Sequence, residues 1–347
     1  MLPEHILIST QPGRELQAFL TKKQYSKLAV LMDENTMKAC YPLIKEFLPV
    51  HTTILVKSGE ESKTLETCSL IWDRMTEALL DRHAALIVLG GGVLGDMGGF
   101  CAATYKRGID FILVPTTLLA QADASIGGKL GIDFKSLKNH IGIFQEPVLT
   151  VLHSGFLKTL PEAELRSGFA EVIKHALISD KELWDELRTN DLAHQSWDSL
   201  LKKSAEFKYS VIQQDPREKG LRKILNAGHT IGHALESFYL ANGSKILHGE
   251  AIAAGLIAEA YLGMNRQLLD ETSLHQMVTY ILSIFGKLRI AEDQIPLIAA
   301  LCLQDKKNKG NSVLCVLPEG IGSARWDVEI SLREIEDGLS FYRLLQT

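Results

Sequence analysis

Two histidines stand four residues apart in the run from Asn226 to Glu236 (NAGHTIGHALE), and Leu247-His248-Gly249-Glu250 follows after a short loop. On a helix, His229 and His233 project from one face, and imidazoles at this spacing are a common grip for a divalent ion. The spacing therefore predicts His229 and His233 as a ligand pair, the plain alternative being a hydrogen-bonded polar patch. Gly228 and Gly232 flank them at a helix-propensity cost of roughly 1 kcal/mol each, which close approach of another backbone or a ligand would justify. His248 adds a third imidazole ahead of a small-residue stretch, Ala251 to Ala258, whose lack of bulk predicts tight packing beside the site. A carboxylate is available in Gly168 to His175 (GFAEVIKH), where Glu171, Lys174 and His175 share a face of an otherwise apolar segment. Such a Glu and Lys are rarely buried unless paired or bound to metal, although an exposed intrahelical ion pair would use the same spacing.

The elements that must carry these groups fall into two halves. The first 150 residues alternate short apolar runs of buried-strand type (28–32, 53–56, 85–89, 111–114) with helical runs over 36–47 and 65–80, and 148–152 is again strand-like. Strands alternating with helices predict a parallel, doubly wound sheet with ligands at the carboxyl ends of its strands. From about Pro161 the pattern is helical (163–177, 181–188, 200–213, 229–240, 249–265, 272–285). The expected organisation is an α/β Rossmann-like domain over 1–155 and a mainly α domain over 156–347.

Two loops fall at strand ends. After Leu89 comes Gly90 to Gly99 (GGGVLGDMGG), glycines that let a strand turn sharply into a helix whose amides can face a diphosphate. Asp33 ends an earlier strand, where a carboxylate can hold a ribose hydroxyl or cap the next helix. After Val114, the run Pro115 to Lys129 is denser in Thr, Gln, Asp, Ser, Gly and Lys than a core helix needs.

With 347 residues, 46% hydrophobic and 23% charged, the chain has room for two domains of ordinary globular composition. A formal charge of −5 argues against a nucleic-acid partner but not against an anionic small substrate met by a local cation cluster. Five scattered cysteines without a CxxC suit reduced thiols in a cytoplasm, and no apolar run nears the ~20 residues of a membrane span.

Together the segments Gly90 to Lys129 (GGGVLGDMGGFCAATYKRGIDFILVPTTLLAQADASIGGK), LKNHIG at 137–142, RSGFAEVIKH at 166–175, LNAGHTIGHALE at 225–236, LHGEAIAAG at 247–255 and DKK at 305–307 resemble the dehydroquinate synthase family over nearly the whole chain. The resemblance implies tightly bound NAD, one divalent metal (zinc or cobalt) and a homodimer. It also implies conversion of 3-deoxy-D-arabino-heptulosonate 7-phosphate to 3-dehydroquinate and phosphate, a shikimate-pathway step toward aromatic amino acids. The route implied is transient oxidation by NAD, phosphate elimination, re-reduction and intramolecular aldol closure.

By the same resemblance Glu171, His229 and His248 match the metal ligands, and His233 becomes a polar or proton-handling neighbour, not the ligand that spacing predicts. Lys174, Arg222 and Asn226 join them as catalytic-site residues. Asp123, Lys129, Lys138, Asn139, Lys208 and Lys306 match substrate contacts, and Arg107 a phosphate contact that crosses a dimer interface. Asp33, Glu60, Lys63, Gly92, Asp96, Thr116 and Thr117, with Lys129 and Lys138, match the nucleotide site. Leu130, Asp133, Phe134, Lys135 and His140 depart from the family pattern. The alternatives are an inosose or valiolone synthase with the same NAD and metal, a metal-dependent polyol dehydrogenase, or an inactive scaffold.

Overall fold

The computed structural model describes residues 2–135, 137–304 and 313–346. It divides into two compact units. One takes the chain up to Pro161 together with Trp197–Tyr209; the other takes Glu162–Ser196 and the chain from Ser210 on.

The first unit is built on strands β1 (Ile6–Ile8), β2 (Leu28–Asp33), β3 (Thr52–Val56), β4 (Ala85–Gly90), β5 (Asp110–Pro115) and β8 (Leu149–Leu152). They form one sheet in the order β1-β8-β5-β4-β2-β3, with every pairing parallel. Successive side chains enter different cores. Ala29, Leu31, Leu86, Val88, Phe111 and Leu113 join the core on one face. Leu28, Val30, Met32, Ile87, Leu89, Ile112 and Val114 join that on the other. Burial on both faces is why these strands are continuous apolar runs. Chain order reverses between β2 and β4, so Asp33 and Gly90 end the two strands that flank the switch point of the sheet.

Helices α1 (Pro12–Lys23), α2 (Glu34–Ala39), α3 (Leu65–Glu77) and α4 (Gly92–Thr104) connect the strands. The helix expected over 36–47 stops at Ala39 and continues as two 3-10 turns, Tyr41–Leu43 and Lys45–Phe47. Pro42 is the cause, since it cannot donate to the preceding turn and its ring disfavours helical backbone at Tyr41. Strands β6 (Lys129–Phe134) and β7 (Leu137–Phe144) form a separate antiparallel pair.

The second unit contains α5 (Glu162–Ser179) and α6 (Lys181–Leu187), the end of α7 (Trp197–Gln214), then α8 (His229–Ala241), α9 (His248–Asn265), α10 (Glu271–Phe285), α11 (Ile295–Leu301) and α12 (Leu332–Leu344). It also holds a hairpin, β9 (Val313–Pro318) with β10 (Ala324–Ile330), which the helical pattern does not announce. Helix α9 is its hub, packing against α5, α8, α10 and α12 and buried from Ala251 to Ala260. Apolar residues all round are what a central helix requires. The five cysteines are buried free thiols, and among the described residues no helix is long and apolar enough to cross a membrane.

Candidate metal centre and nucleotide cleft

Glu171 occupies the buried middle of α5, and its side chain is 1% exposed. Two helices bring imidazoles to it. Gly249 donates its amide to Ser167 Oγ at 2.9 Å, and a Cβ at 249 would lie 2.0 Å from the Ser167 carbonyl oxygen. Only glycine lets α9 begin against α5, and His248, its first residue, is thereby set beside Glu171. Gly255 does the same for α8, since a Cβ there would lie 2.1 Å from the Gly228 carbonyl oxygen. That contact places His229, the first residue of α8, near the other two.

His229 Nε2 is 3.5 Å and His248 Nε2 3.4 Å from Glu171 Oε1, and ligand atoms of the three residues all lie within 4.8 Å of one another. For metal–ligand bonds of about 2.0–2.1 Å, tetrahedral donors stand about 3.3 Å apart, so the set has the size of one coordination shell. One carboxylate and two imidazoles are donors that suit zinc or cobalt. The protonation pattern agrees for His229. Its Nδ1 sits 3.0 Å from the Ala227 carbonyl, which can only accept, so Nδ1 carries the proton and Nε2 offers its lone pair. Burial, the largest influence, holds this imidazole well below its ordinary pKa. Burial also opposes charge on His248, but Glu171 and Glu236 outweigh it and raise the pKa to about 9. Glu236 Oε2 lies 3.4 Å from His248 Nδ1 and so favours the tautomer that points Nε2 at Glu171.

The ligand pair expected from spacing alone is not what assembles around Glu171. His229 and His233 are neighbours, with ring centroids 5.1 Å apart, but His233 is exposed and groups with Glu236 and His248 instead. Spacing along one helix cannot show which imidazole faces a carboxylate supplied by another helix. Lys174, 2% exposed, pairs closely with the second oxygen of Glu171, so the ion pair is buried and not a surface one.

Arg222 and Asn226 lie on the 3-10 segment Leu221–Asn226 just ahead of α8. Asp215 organises that approach by accepting from the amides of Lys219, Gly220 and Arg222, bonds that hold its carboxyl below the usual range. Arg222 is 3% exposed and donates to the Pro216 carbonyl at 2.8 Å; Asn226 donates to Glu218 Oε1 at 2.8 Å. Lys306 lies outside the described residues.

In the first unit, β4 ends on Gly90 and α4 starts at Gly92 with no side-chain cap. Uncapped amides at a helix start are the kind of group that can face an anion. Gly90, Gly91, Gly92, Asp96, Ser125 and Leu130 line a cleft there. Ser125 is 8% exposed and its Oγ has no hydrogen-bond partner among the described residues. In the sequence Ser125 stands out only as a member of the polar run 115–129, two residues after Asp123. Gly91 must be small, because its Cβ would lie 2.9 Å from Thr117 Cγ2. Thr116 binds the Gly90 carbonyl through its amide at 3.0 Å, and Thr117 Oγ1 caps Ala120. Asp33 caps α2, accepting from the Thr36 amide at 2.7 Å through Oδ1.

Lys63, 3% exposed, donates to Asp96 Oδ2 at 2.7 Å and to Asn139 Oδ1 at 2.5 Å. Burial pushes the Asp96 carboxyl up against the pull of Lys63. Asp133, one of the departures from the family pattern, accepts from the Asn139 amide at 2.7 Å, and Leu130, another, is 6% exposed within the core. Lys138 reaches Glu60 at 3.6 Å on the surface, and Lys208 reaches Asp123 Oδ1 at 2.9 Å. Lys129 and Arg107 are exposed, Arg107 in the left-handed backbone region with φ 71°.

Residues 53–167 match the family model for the 3-dehydroquinate synthase N-terminal domain, and residues 168–308 that for its C-terminal domain. A 3-dehydroquinate synthase of Parabacteroides distasonis is 36% identical over 348 aligned residues, covering 99% of each chain. Among solved structures, a 2-epi-5-epi-valiolone synthase of Streptomyces hygroscopicus subsp. jinggangensis with NAD+ and Zn2+ bound superposes with a TM-score of 0.85 at 27% identity, over 99% of this chain and 97% of the other. A 2-deoxy-scyllo-inosose synthase complexed with carbaglucose-6-phosphate, NAD+ and Co2+ gives 0.83 at 25%, over 96% and 95%. Sequence match along the whole chain and agreement of fold lead to one assignment: the chain belongs to the 3-dehydroquinate synthase family.

Proposed function

We propose that this protein converts 3-deoxy-D-arabino-heptulosonate 7-phosphate to 3-dehydroquinate and phosphate, a carbon–oxygen lyase reaction. The observation that carries the proposal is the convergence of Glu171, His229 and His248 on one point, in a chain that matches both family domains. These three residues would hold the divalent ion, and the cleft at Gly90–Gly92, with Asp96, Ser125 and Thr117, would take NAD. A divalent ion there would supply Lewis acidity toward substrate hydroxyls, and NAD a reversible hydride acceptor. The valiolone and inosose synthases carry the same pair of groups.

The remaining roles belong to the chain itself. Lys174 beside Glu171 supplies a buried positive charge for oxygen that gains negative charge during reaction. Arg222, held by the Pro216 carbonyl and the Asp215 turn, presents a fixed guanidinium to an anionic group. Exposed His233 handles protons at the solvent side of the cluster, and Asn226 orients hydroxyls. Asp123, Lys129, Lys138, Asn139, Lys208, Lys306 and Arg107 complete the substrate contacts, and Asp33, Glu60, Lys63 and Thr116 the nucleotide contacts. Residues 1–155 carry the nucleotide role and 156–347 the metal role. The working form is a cytoplasmic homodimer.

Phosphate release from the heptulosonate phosphate, with NADH absorbance followed together and the product identified, tests the reading. Expected is chelator-sensitive phosphate release restored by zinc or cobalt, dehydroquinate as product and no net NADH. Closure of a different phosphorylated sugar would favour the inosose or valiolone alternative, and NADH accumulating with a polyol would favour a dehydrogenase.

A further inference from the structure

Helix α8 starts after Gly228, which lies in the left-handed region at φ 78° and has no side chain with which to cap the helix. Its first amides are nevertheless met. Glu259, fully buried in α9, accepts from the Gly228 amide through one carboxyl oxygen and from the Ile231 amide, at 3.2 Å, through the other. His229 lies between those two amides in the chain. Helix α9 therefore begins with one imidazole, His248, and three turns on grips the backbone from which the other, His229, projects. A carboxyl at a helix start satisfies N–H groups that have no partner within the helix and complements its dipole. Removing it would leave two buried donors unmet.

We propose that Glu259 is a positioning residue for the metal centre, clamping the Gly228 and Ile231 amides so that His229 stands opposite His248 at a spacing one divalent ion can bridge. This rests on the reading of Glu171, His229 and His248 as the metal ligands. Glu259 meets the first turn of α8 through backbone amides, so its effect on the ion runs through the placing of His229.

The full-length chain and its E259Q and E259A variants, stripped of metal, are titrated with Co2+ while the visible absorption bands are followed, and the metal-free forms are melted in parallel. Wild type is expected to take one equivalent. E259A should bind Co2+ roughly 10- to 100-fold more weakly, as when other supporting partners of a metal ligand are lost, with shifted absorption bands. E259Q should fall between, because its amide oxygen can still accept one N–H. Unchanged Co2+ affinity and bands in both variants would overturn the proposal whatever the change in melting temperature. If E259A does not fold, E259Q alone decides by the same two readouts. A wild-type chain that takes up no Co2+ would overturn the metal reading and the clamp together, whereas normal uptake with unaltered variants overturns the clamp alone.

Discussion

At the end of β4 the chain offers backbone, while at the starts of α8 and α9 it offers side chains. The Gly90–Gly92 turn leaves the start of α4 without a side-chain cap, whereas Glu171, His229 and His248 are side chains whose potential donor atoms three helices bring within 4.8 Å of one another. Glycine serves both regions differently. In the cleft Gly95 faces open space, with nothing within 4 Å of an added Cβ; between α5, α8 and α9 glycine makes room for another helix. A substitution at the first kind of glycine should be felt in binding, and at the second kind in folding.

The largest effect expected is on the metal side. His229→Ala should lower metal affinity by more than the roughly 100-fold that loss of a supporting partner reaches, and take activity to background, while NAD affinity stays within about twofold. Metal content after gel filtration and a calorimetric NAD titration check this; equal loss of NAD binding would break the contrast between the regions.

Next comes Gly249→Ala. Its methyl group would sit 2.0 Å from backbone oxygen, so about 3 kcal/mol of stability should go, seen as a lower midpoint in urea unfolding of the metal-free protein. A midpoint like that of wild type would mean that the α5–α9 contact is looser than described.

A smaller, graded effect follows from His248. Its pKa, raised to about 9, means that metal must displace a proton at neutral pH. Apparent metal affinity should therefore climb about tenfold per unit as pH rises toward 9, and level off above it. A flat profile from pH 7 to 9 would show that Glu171 and Glu236 do not hold the proton there.

The smallest effect separates the two kinds of glycine most sharply. Gly95 lines the cleft in the interior of α4, and a Cβ there meets nothing within 4 Å. Gly95→Ala should leave the fold as stable or about 0.5–1 kcal/mol more so, and yet weaken NAD binding. Tighter NAD binding would move the dinucleotide away from this wall.

Much of the scaffold was legible in the chain because burial on both faces writes a strand as an uninterrupted apolar run, as in β2, β4 and β5. Strand β7 shows the opposite. Seven of its eight residues are exposed, no alternation marks it, and it appears in the sequence only as the polar stretch around Lys138, Asn139 and His140. The hairpin β9–β10 was equally hidden behind a helical neighbourhood. The helix expected over 36–47 overruns Pro42, a residue with no amide to continue the helical ladder.

What the sequence determined by itself was an inventory: which residues could ligate, which loops could turn at strand ends, and, through the joint motifs, which family they resemble. His229 and His233 could be related by helical spacing because that relation is local. What tertiary structure decided was which donors meet. Glu171, His229 and His248 are brought together by Gly249 and Gly255, which let three helices approach to backbone contact, and Glu259 reaches the start of α8 from another helix. Such contacts depend on packing between distant segments, for which a one-dimensional period carries no information.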